Sequence, residues 1–419
     1  MKKPELLSPA SGLDVLKTAI RYGADAVYIG GEQYGLRAKA KNFSDTEMRE
    51  GVSFAHEHGK KVYVTANITA HDRDFPGVRD YFEWLAFVEP DALIISDPGV
   101  FMTAKEICPD IDIHISTQAN SVNTETCKFW HAQGAKRVVT ARELSLREIA
   151  GICSGIPEDL EIETFVHGAM CISHSGRCLL SHYFTGRDAN LGQCTHPCRW
   201  RYHIVEETRP GEYLPVEENE RGTYIFNSKD LCMIGHIPEL VEAGIDSFKV
   251  EGRMKTALYV ASVIRAYRHA IDDYFEGEEV YRKNLPRYEE EVKKCTYRQF
   301  TTGFFFGPTD HDSQIYDANT YEKGAVYLGQ IEEVKDGFCY LTQKNKFAVG
   351  DTIELMRPDG QDASVTVEEM VDETGAAINS CPHPGQFFGI RIGREKGTGR
   401  SPEPGDILRV ESGKNCVKE

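Results

Sequence analysis

The sequence lacks the motifs of several common enzyme classes. It contains no H-E-x-x-H pair, no G-x-S-x-G elbow, no Walker loop and no G-x-G-x-x-G dinucleotide motif. His56 and His58 are too close in sequence to present two metal ligands on one helical face. Zincin, serine-hydrolase, P-loop and dinucleotide-dependent chemistries therefore have no motif to support them.

Long apolar segments and excess positive charge are also missing. No run of eighteen apolar residues is present, and the start, MKKPELLSPA, lacks the apolar core of a signal peptide. Lysine and arginine number 48 against 65 aspartate and glutamate residues, a formal net charge of −17. This balance argues against non-specific nucleic-acid binding over the whole surface. We expect a cytoplasmic protein without membrane spans, whose cysteines are reduced unless they bind a metal.

Roughly the first 275 residues alternate between short apolar runs and helix-length segments. Eight such strand–helix units predict a TIM-like (β/α)8 barrel over residues 1–275, with an open, doubly wound sheet as the alternative. Helix starts at Ser44-x-x-Glu47 and Ser145-x-x-Glu148 have capping-box spacing. The predicted strands are Glu5–Pro9, Ala26–Gly30, Lys61–Asn67, Ala92–Asp97, Asp112–Gln118, Arg137–Arg142, Glu161–His167 and Ser247–Glu251.

Alternation within the last two predicted strands places polar side chains on the inner face of the barrel. We expect Glu163, Phe165 and His167 to point inward from the seventh strand, and Lys249 and Glu251 from the eighth. One interpretation is a satisfied buried ion pair between Glu163 and Lys249. The other is an active site at the carboxyl ends of the strands, with Glu163, His167 and Glu251 as catalytic candidates. A hydrogen-bonded structural histidine is the competing role for His167.

Four of the twelve cysteines cluster in a long insertion, residues 168–230, after the seventh predicted strand. Their spacing is C-x6-C-x15-C-x3-C, and an insertion of this length is most often functional or disordered. Four thiolates suit a structural zinc or an iron–sulfur cluster, with unliganded thiols or a disulfide as the third alternative. Cys232 is close enough in sequence to replace one of the four. The four cysteines are Cys171, Cys178, Cys194 and Cys198.

The C-terminal part of the chain has a different pattern. A charged connector is predicted over 276–324, and from 325 to 419 glycines and β-favouring residues recur at short intervals, as in GDTIEL and GDILRV. This pattern predicts a small antiparallel β-barrel as a separate domain. Such modules often bind RNA or a protein partner, and a dimerisation or packing module is the alternative.

The segment around the first two cysteines resembles a family signature. The sequence E-x-F-x-x-G-A-M-C-x4-G-x-C-x-L-S, from Glu163 to Ser181, is similar to that of the collagenase-like peptidase family of unassigned catalytic type, family thirty-two of that class. The segments ELLSPA, ADAVYIGG, FNSKDL and SFKVEGRMK look like the same family. The resemblance covers essentially the whole chain.

This resemblance implies RNA chemistry more than peptide hydrolysis. The better-understood bacterial members resemble oxygen-independent hydroxylation proteins that act on tRNA, ribosomal RNA or a quinone precursor. By resemblance, the four clustered cysteines would bind an iron–sulfur cluster of the 4Fe–4S type, with zinc as the alternative. The two-domain length and the CTHPCRW segment look most like the branch that forms 5-hydroxyuridine at the tRNA wobble position, with prephenate as co-substrate. A metal-dependent peptidase and a non-catalytic RNA-binding subunit of a family heterodimer are the alternatives.

The substrates implied by the resemblance suggest roles for several cations and one aromatic residue near the carboxyl ends of the predicted barrel strands. A dicarboxylate such as prephenate needs fixed cations, although surface ion pairs are the alternative role for each arginine. Arginines and an aromatic side chain of the insertion would contact phosphates and stack a base, with packing of the insertion as the alternative for the aromatic ring. The co-substrate candidates are Arg37, Arg177, Lys229 and Arg253. The RNA-binding candidates are Arg187, Arg199, Trp200 and Arg201.

Overall fold

The computed structural model describes most of the chain outside the cysteine-containing insertion. The described residues are 2–32, 34–35, 42–170, 185, 195, 204–205, 213–214, 217–219, 222–224, 229–307, 321–393 and 400–413. No helix in these ranges is long and apolar enough to cross a membrane.

The first part of the chain alternates strands with helices. Its strands in chain order are β1 (Glu5–Pro9), β2 (Ala26–Gly30), β3 (Lys61–Ala66), β4 (Ala92–Ile95), β5 (Asp112–Ile115), β6 (Arg137–Val139), β7 (Glu161–Ala169), β8 (Ile204–Val205), β9 (Tyr213–Leu214), β10 (Glu217–Asn219), β11 (Gly222–Tyr224), β12 (Asp230–Cys232) and β13 (Ser247–Val250). Its helices are α1 (Leu13–Arg21), α2 (Asp45–Glu57), α3 (Phe75–Val88), α4 (Pro98–Ile107), α5 (Thr124–Gln133), α6 (Leu146–Gly155), α7 (Ile237–Glu242), α8 (Ala257–Glu276) and α9 (Glu278–Glu291). Short 3-10 helices lie at Asp72–Asp74, Thr117–Ala119 and Ile234–His236.

Eight of these strands close into a parallel barrel. Strands β1 to β7 pair in sequence order, and β13 pairs in parallel with both β1 and β7. The ring confirms the predicted TIM-like barrel and excludes the open sheet. The predicted capping boxes at Ser44 and Ser145 are both formed, so each serine side chain satisfies a free N–H at its helix start.

Several barrel strands end earlier than predicted because polar residues there begin the next helix. Asp97, expected in the fourth strand, accepts hydrogen bonds from the N–H groups of Gly99 and Val100 and caps α4. Ser116, expected in the fifth strand, caps a 3-10 turn through the N–H of Gln118. The carboxyl rim of the barrel therefore carries polar caps where the sequence pattern predicted continued strand.

The C-terminal part is a closed antiparallel barrel, as predicted. Its six strands pair in the cyclic order β17–β18–β22–β20–β19–β23, and β21 extends from β20. Its own core of buried apolar side chains is separate from that of the first barrel. The remaining strands are β14 (Thr296–Tyr297), β15 (Phe300–Thr301), β16 (Glu322–Lys323), β17 (Ala325–Lys335), β18 (Phe338–Thr342), β19 (Thr352–Met356), β20 (Ala363–Asp372), β21 (Ala377–Ile378), β22 (Phe387–Ile392) and β23 (Ile407–Glu411).

A buried ionic network joins the two barrels. The Arg409 guanidinium on β23 is fully buried; its Nη1 lies 2.7 Å from Glu291 of α9 and its Nε lies 2.8 Å from Glu354 of β19. Arg265 of α8 contacts Glu291 at 2.9 Å and also pairs with Asp362. Carboxylates from both parts of the chain thus share two buried guanidinium groups. The predicted charged connector contributes α9 to this interface.

Replacing Arg409 by leucine should destabilise the protein because the carboxylates around it would stay buried without their cation. Breaking a buried ion pair on one side costs about 3–5 kcal/mol, and the effect should appear as a lower midpoint in urea unfolding. The matched control is Arg282→Leu, which removes an exposed arginine of α9 that pairs with Glu278 at 2.6 Å. An unchanged midpoint for Arg409→Leu would show that the network does not stabilise the domain contact.

Candidate active site at the barrel mouth

A buried cluster of charged side chains lies inside the barrel, toward the amino ends of its strands. Lys249 Nζ lies 2.6 Å and Arg137 Nη1 3.0 Å from opposite oxygens of Glu163, and Ser247 donates to the same carboxylate at 3.1 Å. Burial alone would raise the pKa of Glu163, but the Lys249 and Arg137 charges outweigh it and hold the pKa below its ordinary value. The predicted Glu163–Lys249 ion pair is therefore confirmed.

This cluster favours a structural role for Glu163. Both oxygens of its carboxylate have partners, and it lies in the layer that includes Glu5, at the amino end of β1. Barrel enzymes place their chemistry at the opposite, carboxyl rim. The catalytic role predicted for Glu163 stays a prediction that this placement does not support.

The expectation that His167 points inward is wrong. Strand β7 has one extra residue against β13, since Phe165 pairs with Lys249 and His167 with Val250, so Val166 is a bulge. A bulge reverses the alternation of side chains that follow it. The His167 ring consequently packs 5.5 Å from the ring of Tyr267 and 6.1 Å from that of Tyr259, both on the outer helix α8.

The surroundings of His167 keep its imidazole neutral. Burial lowers the pKa of His167 to about 3, and the Lys255 charge acts in the same direction. A general base that works near neutral pH needs a pKa close to 7. The Tyr267 hydroxyl lies 3.4 Å from His167 Nδ1, which matches the competing interpretation, a hydrogen-bonded structural histidine. The acid–base role stays a prediction.

Glycine is required at position 168, the second residue after the bulge. Gly168 has φ of +105°, and a Cβ built there would lie 2.4 Å from the carbonyl oxygen of Glu251. The N–H of Glu251 also donates to the His167 carbonyl at 2.8 Å. The glycine of the G-A-M-C sequence therefore allows the end of β7 to cross tightly against the segment that follows β13.

Arg142 fixes the point where the insertion begins. Its Nη1 donates to the carbonyl of Ala169 at 2.8 Å, and its Nη2 lies 3.3 Å from the carboxylate of Glu251. The guanidinium carbon lies 3.9 Å from the centroid of the Phe165 ring. Phe165 and Glu251 thus lie at the inner mouth, as predicted. Arg142 was not singled out from the sequence, although a cation at the end of a predicted barrel strand is a usable signal.

Arg253 is a second fixed cation at the mouth. Its two Nη atoms donate to Thr65 Oγ1 and Asn42 Oδ1 at 3.0 Å each, and only 5% of the residue is exposed. A Cβ at Gly30 would lie 2.6 Å from this guanidinium, so glycine makes room for it. Lys229, the other described co-substrate candidate, is partly exposed and immediately precedes β12. Both candidates lie on segments that meet the carboxyl rim.

The insertion leaves and re-enters the barrel at one place. Ala169 at the end of β7 pairs with Asp230 at the start of β12, and Asp230 Oδ1 accepts a hydrogen bond from Arg298 at 3.0 Å. Both roots of the insertion are therefore held at the rim. The predicted residues that lie outside the described chain are Arg37, Arg177, Arg187, Arg199, Trp200, Arg201, Cys171, Cys178, Cys194 and Cys198.

The described cysteines behave as isolated thiols. Burial raises the pKa of each one, which favours the protonated thiol. Within the described ranges no three histidine, cysteine or acidic residues are grouped to hold a metal ion. Cys232, considered as a replacement ligand, has a pKa of about 11. The described cysteines are Cys108, Cys127, Cys153, Cys232, Cys295, Cys339 and Cys381.

Comparison with protein families matches both parts of the chain. Residues 11–315 match the model of peptidase family U32, and residues 323–409 match the model of the peptidase family U32 C-terminal domain. The chain belongs to peptidase family U32. The resemblance inferred from the Glu163–Ser181 signature is thereby confirmed.

Individual U32 relatives align over most of their length. The tRNA hydroxylation protein P1 of Bacillus subtilis is 39% identical over 400 residues, covering 94% of this chain and 93% of the relative. The tRNA hydroxylation protein P of Escherichia coli is 39% identical over 426 residues, covering 92% and 93%. A Methanocaldococcus jannaschii protein named as an uncharacterized protease is 41% identical over 360 residues, covering 84% and 86%.

Replacing Gly168 by alanine should strain the rim. A side chain at φ of +105°, with its Cβ against the Glu251 carbonyl, costs about 1–3 kcal/mol or forces the crossing apart. We expect a lower thermal midpoint by differential scanning calorimetry. Gly151→Ala in helix α6, where a Cβ meets nothing within 4 Å, is the matched control and should leave the midpoint unchanged or raise it. Equal midpoints for the two variants would contradict the strain argument.

Replacing His167 by phenylalanine should flatten the acid dependence of stability. The unfolded histidine titrates near 6.5, whereas the folded one titrates at about 3, so between these values only the unfolded chain binds the proton. Wild-type stability should therefore fall as pH decreases through this window, by up to about 1.4 kcal/mol per pH unit from this residue. Urea unfolding from pH 7.5 to 4 gives the two slopes. Parallel slopes would show that His167 is protonated in the folded protein.

Proposed function

We propose that this U32 protein hydroxylates uridine in tRNA to 5-hydroxyuridine at the wobble position, without molecular oxygen. The observation that carries the proposal is the alignment, over more than nine-tenths of both chains, with two proteins named for tRNA hydroxylation. A match that includes the C-terminal domain supports a shared activity better than a shared barrel alone would, because barrels host many chemistries.

We propose that the four clustered cysteines bind a 4Fe–4S cluster. The donor set fits, since four thiolates suit such a cluster and the cysteines of the described ranges are not grouped with other metal-binding side chains. The anchoring of both insertion roots at the rim supports a cofactor near the mouth. When bound, the cluster would supply electron transfer, and Cys171, Cys178, Cys194 and Cys198 would be its ligands.

The fixed cations at the mouth would orient a small carboxylate co-substrate, which we propose is prephenate. Arg253 donates to the side-chain oxygens of Thr65 and Asn42 and occupies the space left by Gly30, and a cation oriented in this way at the mouth supports the proposal. Lys229 lies at the return of the insertion and would supply a second charge. Arg37 and Arg177 remain candidates for the other carboxylate.

Glu251 is the acidic residue best placed to act near substrate. Its carboxylate lies at the mouth beside Arg142, and its backbone is fixed by Tyr259, whose hydroxyl donates to the Glu251 carbonyl at 2.9 Å. In this position it would hold or accept a proton during attack on the pyrimidine ring. Arg142 then acts as a positioning residue, because it orients Glu251 and the start of the insertion together.

The tRNA would approach the rim from which the insertion emerges. Arg187, Arg199 and Arg201 would contact phosphates, and Trp200 would stack on a base that is splayed out of the anticodon loop. Local recognition of this kind is compatible with a net charge of −17 because the basic residues concentrate in one segment. A second family member is a further candidate partner, as subunit of a heterodimer.

A metal-dependent peptidase is the second candidate, favoured by the protease name of the Methanocaldococcus jannaschii relative. Hydrolysis would require a metal with an open coordination site or an activated nucleophile. The two candidates differ in metal content, since the peptidase predicts a single zinc and the hydroxylase an iron–sulfur cluster.

Loss of the protein should remove 5-hydroxyuridine and its derivatives from tRNA. The test expresses this chain in a strain that lacks its own tRNA hydroxylation proteins and measures nucleosides of digested tRNA by mass spectrometry. The wild-type chain should restore the modification and Cys178→Ala should not. Cys153→Ala, which removes an isolated thiol of α6, is the matched control and should restore it.

Anaerobic purification of the same variants tests the cofactor separately. We expect about four iron and four sulfide per wild-type chain, both lost in Cys178→Ala and retained in Cys153→Ala. A colourless wild-type protein with one zinc would favour the peptidase. Unmodified tRNA despite a full cluster would instead reject tRNA uridine as the substrate.

A further inference from the structure

The C-terminal barrel carries a row of aromatic rings on its outer surface. Phe338 and Tyr340 are alternate residues of β18, and Phe387 lies on the neighbouring strand β22. Ring centroids are 6.4 Å apart between Phe338 and Tyr340 and 5.9 Å apart between Tyr340 and Phe387, the latter pair with planes only 20° from parallel. Phe387 is 38% exposed, and the other two rings are half-buried.

These rings are not part of the domain core. The residues that alternate with them, Cys339 and Leu341 on β18 and Phe388 and Ile390 on β22, are buried in the barrel interior. Because side chains alternate between the two faces of a strand, the aromatic row belongs to the outer face. The row therefore lies outside the buried cluster that forms the core of this barrel.

Gly389 makes room for the central ring. It pairs directly with Tyr340, and a Cβ at this position would lie 2.9 Å from the Tyr340 ring. The Tyr340 ring thus packs closely against the glycine. Aromatic rings on the outer face of a sheet, here beside the exposed Phe387, are the arrangement on which nucleobases stack in sheet-based RNA-binding domains.

Positive charges lie at both ends of the row. The Arg391 guanidinium carbon lies 4.5 Å from the centroid of Phe338, and Lys335 pairs with Phe338 across the neighbouring strand. At the other end, exposed Lys344 and Lys346 follow Thr342, the partner of Phe387. Such end charges suit phosphates that flank stacked bases.

Three acidic residues border the row and limit its charge. Glu333 is the cross-strand partner of Tyr340, and Glu369 lies 3.5 Å from Arg391. Glu332 accepts a hydrogen bond from the N–H of Thr342, the partner of Phe387, at 2.9 Å. Glu333 and Glu369 balance Lys335 and Arg391, and Glu332 offsets part of the charge of Lys344 and Lys346. Affinity there should come from stacking, with the salt-dependent part supplied by Lys344 and Lys346.

We propose that the aromatic row of Phe338, Tyr340 and Phe387 binds unpaired nucleotides of an RNA. It would hold single-stranded RNA away from the barrel mouth, as a second contact for the substrate of the first domain. The inference rests on the proposed function only for the identity of that RNA, since stacking is tolerant of sequence.

The test measures binding of a short fluorescein-labelled oligouridylate to the full chain by fluorescence anisotropy. Phe387→Leu and Tyr340→Leu keep an apolar cover on the sheet but remove the flat ring. Each should raise the Kd about 5- to 100-fold, the range for loss of one stacked base. Phe129→Leu removes a ring that is 54% exposed on helix α5 and should leave the Kd unchanged.

A second measurement separates the row from RNA sites elsewhere on the chain. Ultraviolet cross-linking of an oligonucleotide containing 4-thiouridine, followed by peptide mass spectrometry, should label β18 or β22. Lys344→Gln with Lys346→Gln should reduce the salt dependence of binding. Wild-type affinity in both ring variants, together with cross-links confined to other segments, overturns the proposal in favour of a protein-docking surface.

Failure here and failure of the proposed function are distinguishable. Hydroxylation of tRNA by a protein whose ring variants bind RNA normally would reject the aromatic row alone. Ring-dependent RNA binding by a protein that leaves tRNA uridine unmodified would reject the proposed reaction and retain the RNA-binding surface.

Discussion

The crossing of β7 over the segment after β13 is the constraint on which the barrel mouth depends. Gly168 brings the end of β7 against the Glu251 backbone, and Arg142 then contacts Ala169 and Glu251 together. A single close approach therefore fixes an acidic side chain, a cation and the start of the cysteine-containing insertion. The surrounding barrel supplies the rigidity that holds this crossing in place, since its strands are paired on both sides.

The buried charges near the amino ends of the barrel strands have different partners from the buried Arg253 at the carboxyl rim. Glu163 is saturated by Lys249, Arg137 and Ser247, so it is stable but chemically unavailable. An unpaired charge in a barrel interior would destabilise the protein, and here Glu163, Lys249 and Arg137 pair with one another. At the rim, Arg253 donates to the neutral side chains of Thr65 and Asn42 and occupies the space above Gly30.

Much of the fold could be predicted because strand periodicity is local information. The starts of all eight barrel strands were predicted correctly, and so were the inward directions of Glu163 and Lys249. The orientation of His167 could not be predicted, because the bulge at Val166 depends on tertiary pairing with β13. The alternation of polar and apolar residues in the sequence does not reveal it. The Arg142 contact was missed for the same reason, since it joins elements far apart in sequence. The four clustered cysteines were predicted to bind a metal from their spacing and from the resemblance, and this stays a prediction because they lie outside the described residues.

The pairing of Ala169 with Asp230 has a consequence for how such a protein can diversify. The two ends of the insertion are neighbours on one short ladder, so the segment between them can change in length or sequence without altering the path of the barrel strands. A U32 barrel can in this way support insertions of different length and sequence. Family members that modify different molecules would then need to differ mainly in the insertion, while the barrel strands keep the same path.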